Sequence, residues 1–440
     1  MPIVSVSRMK ALVLTAGVGK RLRPLTANRS KTMLKIAGRP VLQYIIESLK
    51  ENGFKDIIIV VGHGRDEIIE HFQHGAESGV RIRYVIQHEQ KGVEDAILTA
   101  RDEIGNDDEF LLVNGDVLVD SEMVSRTLAN HENMDADVTM LVTLVSNPEQ
   151  FGTVRIGKNG VVEMLVEKGG PDRYVSNYAV AGVSVFSTKT LPLLEEHKTM
   201  ERTIEKMIEA KSVIAAAVWE KEWAEFTWPW DVLEANRIVM DRELRGHGTF
   251  IAETAEIHRH VVIEGPVFID ENSVIRPGTT LKGPIYIGKG VYVGDHSLIR
   301  KYTSLCDNVS IGYSVEVRNS VIFDKVTVGR MTFVADSIIG ANTCIESGAQ
   351  TWNWRPDNKP FHLNYMDGRV QIPVSKFGAI IGDGVIVGIN SAIYPAQRVG
   401  EHSVIAPGCI IDRDIPPRSD VSAQQKLIIK QRKDDDTGGK

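Results

Sequence analysis

The spacing of apolar positions changes character once along the chain, near residue 254. Before that point short apolar runs alternate with stretches of helical periodicity. Runs at 11–14, 57–61, 82–86, 110–113, 137–145 and 180–186 predict strands, and the patterns over 41–52, 65–74 and 230–245 predict helices. Such alternation predicts a mostly parallel sheet covered by helices.

After residue 254 the period becomes six. Ile257, Ile263, Ile269, Ile275, Leu281, Ile287, Val293, Ile299, Leu305, Ile311 and Val317 follow one another at six-residue steps, and every one is aliphatic. The register slips between Phe323 and Ile345, then resumes at Ile381, Val387, Ile393, Val399, Ile405 and Ile411. Neither a helix nor a hairpin sheet has this period. One inward aliphatic side chain per short strand instead builds a three-sided prism, three repeats to a coil. Glycines that follow the aliphatic residue, as Gly288, Gly294 and Gly312 do, suit the corners. Residues 351–376 break the repeat with Trp352, Trp354, Phe361, His362 and Tyr365, and are expected to project from one edge as a loop.

Length agrees with two units, because 440 residues exceed what one core organises. The expected bounds are 9–245 and 254–430, with 431–440, rich in Asp and Gly, as a frayed tail. A formal charge of -7 argues against nucleic acid as a partner. No run approaches the ~20 apolar residues of a membrane span, and the first residues do not form a secretory signal. Cys306, Cys344 and Cys409 are odd in number and far apart, which suits a reducing compartment, so a cytoplasmic protein without membrane partners is expected.

Candidate chemistry begins where the first strand runs into Thr15-Ala16-Gly17-Val18-Gly19-Lys20-Arg21-Leu22-Arg23-Pro24-Leu25-Thr26. Glycines let backbone N–H groups approach phosphate closely. Leu22 stands where a dinucleotide fingerprint needs its third glycine, and no GxxxxGK with Ser or Thr is present. The loop resembles the GxGxRLxPLT signature of the nucleoside-diphosphate-sugar pyrophosphorylases, and Ser30-Lys31-Thr32-Met33-Leu34 resembles their PKPML segment with both prolines replaced. Order-preserved motifs continue through about 230 residues.

The resemblance implies a Rossmann-like α/β nucleotidyltransferase domain and a Mg2+-dependent transfer from UTP or dTTP to a sugar 1-phosphate. Ala16, Gly17 and Gly19 are then nucleotide-binding, and Arg21 and Lys31 neutralise the leaving β,γ-phosphates. Asp116 follows the strand over 110–113, at the strand end where α/β ligands bind, and corresponds to the family's metal ligand. Asp231, in Trp228-Pro229-Trp230-Asp231, resembles the second ligand; read alone it is a helix cap. Gln87 and Gly92 lie in the base-recognition segment, where Val93 replaces the usual threonine or leucine. Gly152, Glu167, Lys168 and Val180 are the expected sugar-phosphate contacts.

Transferase followed by prism is similar to the bifunctional N-acetylglucosamine-1-phosphate uridylyltransferases with glucosamine-1-phosphate acetyltransferase activity, archaeal type. Their C-terminal half is a left-handed parallel β-helix that binds acetyl-CoA between the subunits of a trimer. Arg318, Phe333, Asn353 and Lys376 correspond to its sugar and phosphate contacts. Arg330 stands in place of the acyltransferase histidine and cannot act as a general base, which leaves His362 as a candidate. The alternative is a monofunctional nucleotidylyltransferase whose β-helix is a structural trimerisation module.

Overall fold

The computed structural model describes residues 9–430 apart from 106, 169–172 and 367; the tail expected over 431–440 lies outside the described residues. The N-terminal sheet is formed by β1 (Lys10–Leu14), β2 (Asp56–Val61), β3 (Arg81–Ile86), β4 (Glu109–Asn114), β5 (Val138–Leu144), β6 (Tyr178–Ser187) and β7 (Ile214–Trp219), in the order β7-β5-β6-β4-β1-β2-β3. Pairing is parallel except at β6, which runs antiparallel to both β4 and β5. The uninterrupted apolar runs have their reason here, since helices cover both faces of the sheet. Ala11 and Val13 pack with Ile57, Ile59 and Val113 on one side, and Leu12 packs with Ile58, Val60 and Phe110 on the other. A hairpin of Thr153–Ile156 and Val162–Val166 extends the sheet beside β6.

The C-terminal half is the parallel β-helix of hexapeptide repeats that the period implied. Three parallel sheets each receive one strand per coil, from Phe250–Ile251 to Asp420–Val421. Ile257 pairs with Ile275, Ile275 with Val293 and Val293 with Ile311, so each inward residue stacks on its counterpart one coil on. Gly294 and Gly312 are required by proximity: a Cβ on Gly294 would lie 2.6 Å from the Gly312 carbonyl carbon, and one on Gly312 2.9 Å from the Arg330 amide nitrogen. Residues such as Asn272, Asn308 and Asn342 take up the left-handed backbone conformation instead.

The slip in the repeat is a shortened corner, with the coil unbroken. Leu305 pairs with Ile322 and Ile322 with Ile339, a coil one residue short each time, and the missing residue lies between Val317 and Ile322 and between Val334 and Ile339. The insertion leaves from that same corner, after Gln350–Thr351, and the coil resumes at Ile380–Ile381. Contrary to the expectation of a projecting loop, it forms an antiparallel hairpin of Phe361–Tyr365 and Gly368–Ile372. Phe361, Leu363 and Ile372 are buried against a cluster that includes Phe226, Trp228 and Trp230 of the N-terminal half.

The two halves share a further polar seam. Asn236, fully buried in the helix Pro229–His247, accepts from the Ala37 amide (3.1 Å) and the Ser304 hydroxyl (2.7 Å) and donates to the Tyr302 carbonyl (3.0 Å). Arg29 pairs with Asp383 at 2.6 Å, and Lys35 with Asp324 at 2.8 Å. Among the described residues no helix is long and apolar enough to cross a membrane.

Candidate active site

Parallel pairing of β1 with β4 ends at Leu14 opposite Asn114, so the loops that leave these strands emerge side by side. The first loop carries Ala16, Gly17 and Gly19, the last at φ +63 at the start of the 3-10 turn Lys20–Leu22. Lys31 opens a second 3-10 turn, Lys31–Met33, which Ser30 caps by accepting from the Thr32 amide at 3.4 Å. Serine in place of proline therefore keeps the turn that presents the lysine. The Lys31 side chain lies along the glycine loop: a Cβ on Gly17 would be 3.4 Å from Lys31 Cε, and one on Gly19 would be 3.3 Å from Lys31 Cβ. Its ammonium pairs with the Asp116 carboxylate from the second loop.

A carboxylate that the sequence reading passed over stands beside Asp116. The Phe226 amide donates to the Asp116 carbonyl (2.8 Å) and the Leu118 amide to the Ala224 carbonyl (3.0 Å), which sets Glu225 against this loop. Burial pushes the Glu225 carboxyl up to about 7, and the charge of Asp116 adds to the effect. Thr227 donates to it at 2.9 Å. A carboxylate three residues before a helix-opening Trp-Pro was the only available sequence signal.

Asp231 is engaged differently. Its Oδ2 accepts from the amides of Thr227 (2.9 Å) and Trp228 (2.6 Å), which makes it an acidic cap in the first turn of Pro229–His247. Burial pushes this carboxyl up to about 7 despite those two bonds. The helix-cap reading of Asp231 thus describes its contacts, and Glu225 is the acid that meets Asp116.

The expected sugar-phosphate residues converge. Gly152, Glu167, Lys168 and Val180 line one cavity of about 370 Å³, together with Asn114 and Glu225. The Lys168 ammonium sits 6.0 Å from the Phe151 ring centre, and burial followed by the nearby Arg21 charge lowers its proton affinity. Glu167 is pushed up by burial and by its hydrogen bond with Glu94, and it accepts from the Glu201 amide at 3.2 Å. Glu94 and Glu201 are therefore further acids at this wall.

A larger depression of about 880 Å³ shares Gln150, Phe151 and Glu225 with that cavity. It runs past Trp228 and Asp231 to Gln371, Pro373 and Val374 of the inserted segment. Arg21 forms no ion pair among the described residues; its guanidinium packs on the rings of Trp228 at 5.3 Å and Tyr365 at 6.0 Å.

Gln87 is placed otherwise than as a free reader of bases. It is buried, and its amide nitrogen donates to the Gly92 carbonyl (3.2 Å) and to Asp95 (2.8 Å). Those bonds fix Gly92, at φ +116, as the residue preceding the helix Val93–Thr99.

In the coil, Arg318 packs on Phe333 at 5.7 Å and lies 3.8 Å from Asp336. Asp336, unnoticed in the sequence, also accepts from Asn353 and, at 2.6 Å, from Asn319. Arg318, Phe333 and Asn353 are thus brought together around one buried carboxylate. Lys376 and Arg330 are exposed and take no part in that cluster, and His362 is exposed on the outer face of the hairpin.

Residues 10–240 match the nucleotidyl transferase family, and residues 281–354 match the GMPPB C-terminal domain. The chain is 34% identical to the bifunctional protein GlmU of Methanocaldococcus jannaschii, over 97% of this chain and 100% of that one. It is 30% identical to a bifunctional sugar-1-phosphate nucleotidylyltransferase/acetyltransferase of Sulfurisphaera tokodaii, over 92% of this chain and 98% of that one. A low-salt glycan biosynthesis nucleotidyltransferase, Agl11, of Haloferax volcanii is 30% identical over 77% of this chain and 94% of its own length.

Proposed function

The chain belongs to the nucleotidyl transferase family, and from that premise we propose that residues 9–245 transfer a nucleotidyl group from UTP or dTTP to a sugar 1-phosphate, N-acetylglucosamine or glucose 1-phosphate. The observation that carries the proposal is the meeting of Lys31 and Asp116 beside the glycine loop, with Glu225, next to Asp116, lining the cavity that also holds Glu167 and Lys168. A sugar-phosphate oxygen attacks the α-phosphorus, the bond from that phosphorus to the β-bridging oxygen breaks, and pyrophosphate leaves. Gly17 and Gly19 admit the triphosphate, Arg21 and Lys31 neutralise the departing phosphates, and Lys168 holds the sugar phosphate while Glu167 accepts from sugar hydroxyls.

Asp116 and Glu225 are oxygen donors suited to Mg2+, with Asp231 holding the intervening segment in place. Among the described residues no three His, Cys, Asp or Glu side chains form a closed metal cage. Mg2+ takes one or two carboxylates and completes its shell with water and phosphate. Bound there, the ion supplies charge neutralisation at the phosphates. Pyrophosphate release from UTP and dTTP, each crossed with N-acetylglucosamine, glucose and galactose 1-phosphates, tests the reaction and identifies the substrates. Release with none of them overturns it.

For residues 254–430 we propose acetyl-CoA-dependent acetylation of glucosamine 1-phosphate within a homotrimer. The support is that relatives aligned across both halves are named bifunctional. Arg318, Phe333, Asn353 and Lys376 bind, and His362 is the candidate base. Arg330 favours the alternative, a scaffold that only assembles trimers. Thiol release from acetyl-CoA separates the two, and light scattering measures the trimer.

A further inference from the structure

The geometry points to Tyr365, on the hairpin inserted in the β-helix, as the residue that positions Arg21 for nucleotidyl transfer in the other half. This inference rests on the proposed role of Arg21.

Alternation along Phe361–Tyr365 puts Phe361, Leu363 and Tyr365 on one face of the strand and His362 and Asn364 on the other. Phe361 and Leu363 are buried against the N-terminal half, while His362 and Asn364 are exposed. The inward face therefore carries Tyr365 to the transferase site. Its ring meets Trp228 edge-on at 5.4 Å, and the Arg21 guanidinium lies 5.3 Å from the Trp228 centroid and 6.0 Å from that of Tyr365.

The hairpin is also fastened from behind. Arg398 donates to the Asn364 carbonyl at 2.7 Å and pairs with Asp414 at 2.6 Å, which ties the residue next to Tyr365 to the last coils. Gln371, Pro373 and Val374 continue the same wall around the larger cavity.

Aromatic faces suit this task for a charge-balance reason. An acidic partner would hold Arg21 by occupying its N–H donors and cancelling its charge. Rings attract the guanidinium without cancelling its charge, which stays available to phosphate oxygens. Lys31, which has an acidic partner in Asp116, depends on no such support.

The test uses the full chain. Tyr365→Ala is expected to weaken binding of inorganic pyrophosphate, read by quenching of tryptophan fluorescence, on the order of 3- to 30-fold, the range of a cation–π contact. The kcat with the productive substrate pair should fall in the same range, with KM for the sugar 1-phosphate unchanged. Tyr365→Phe keeps the ring and should behave as wild type. In an Arg21→Ala background, Tyr365→Ala should cost nothing more. Loss of equal size in that background, or Tyr365→Phe as poor as Tyr365→Ala, makes the tyrosine a structural prop and overturns the inference. An unchanged Tyr365→Ala does so too. If Arg21→Ala itself binds pyrophosphate as wild type does, the reading of Arg21 has failed, which the single variant shows on its own.

Discussion

The two candidate sites of this chain are built from similar residue types and differ in what their charges face. In the N-terminal site Arg21, Lys31 and Lys168 stand near Asp116, Glu225 and Asp231, and the balance is incomplete. Among the described residues Arg21 packs on two rings and forms no ion pair, Lys168 is held below its ordinary proton affinity, and both Glu225 and Asp231 are pushed up to about 7. Strained charges around open space are the condition in which an anionic ligand and a cation are bound strongly. In the coil, Asp336 already receives Asn319, Asn353 and Arg318, and the exposed Arg330 has no basic nitrogen to accept a proton. The coil's carboxylate is hydrogen-bonded by its own neighbours, whereas Glu225 and Lys168 line open space.

The contrast breaks most directly at Asp116. Asp116→Ala should lower nucleotidyl transfer by about 10³-fold or more, through loss of a metal ligand and release of Lys31, with the size of the full-length particle unchanged by light scattering. Activity within a few-fold of wild type refutes the assignment. Next in size is the division of labour between the two neighbouring acids. Glu225→Gln should cost about 10²-fold in turnover, whereas Asp231→Asn, whose amide oxygen can still cap the helix, should cost less than about 10-fold. Equal losses would mean that both acids hold the cation.

Acetyl transfer sharpens the comparison from the other side. If His362 is the base, His362→Ala should reduce thiol release about 100-fold and leave pyrophosphate release untouched. Absence of thiol release in the wild-type chain assigns the coil to assembly, and Arg330→His then tests whether a base alone restores chemistry.

The smallest effect is on stability. A carboxyl raised to about 7 in the folded chain has an ordinary affinity when unfolded, so the folded state binds the extra proton in between. Its contribution is fully present below about pH 4, is lost as pH rises toward 7, and stays lost above. In EDTA the unfolding free energy of wild type should therefore fall relative to Glu225→Gln between pH 5 and 8, by on the order of 2 kcal/mol, as read by denaturant titration. Parallel curves for the two proteins would contradict the burial of that charge.

Much of this was legible in the sequence because it follows from local periods. A run such as Ala11–Leu14 buries both faces only in a covered sheet, and aliphatic residues at every sixth position admit only a coil with three walls. The loop that brings Gly17 and Gly19 to Lys31 was legible as motif order, since the turn is set by residues close in the chain. Glu225 was not legible: its meaning comes from the backbone pairing of 224–226 with 116–118, over a hundred residues away. The same holds for Asp336, whose partners come from neighbouring coils. Nor did any period announce that residues 361–372 fold back as a hairpin onto Trp228. Sequence alone determined the two architectures and the place of the glycine loop after the first strand, because hydrophobic spacing and turn residues act over a few positions. Tertiary structure decided which acid meets Asp116, which caps a helix, and which half of the molecule the insertion serves, because those are contacts between segments that only the finished packing brings together.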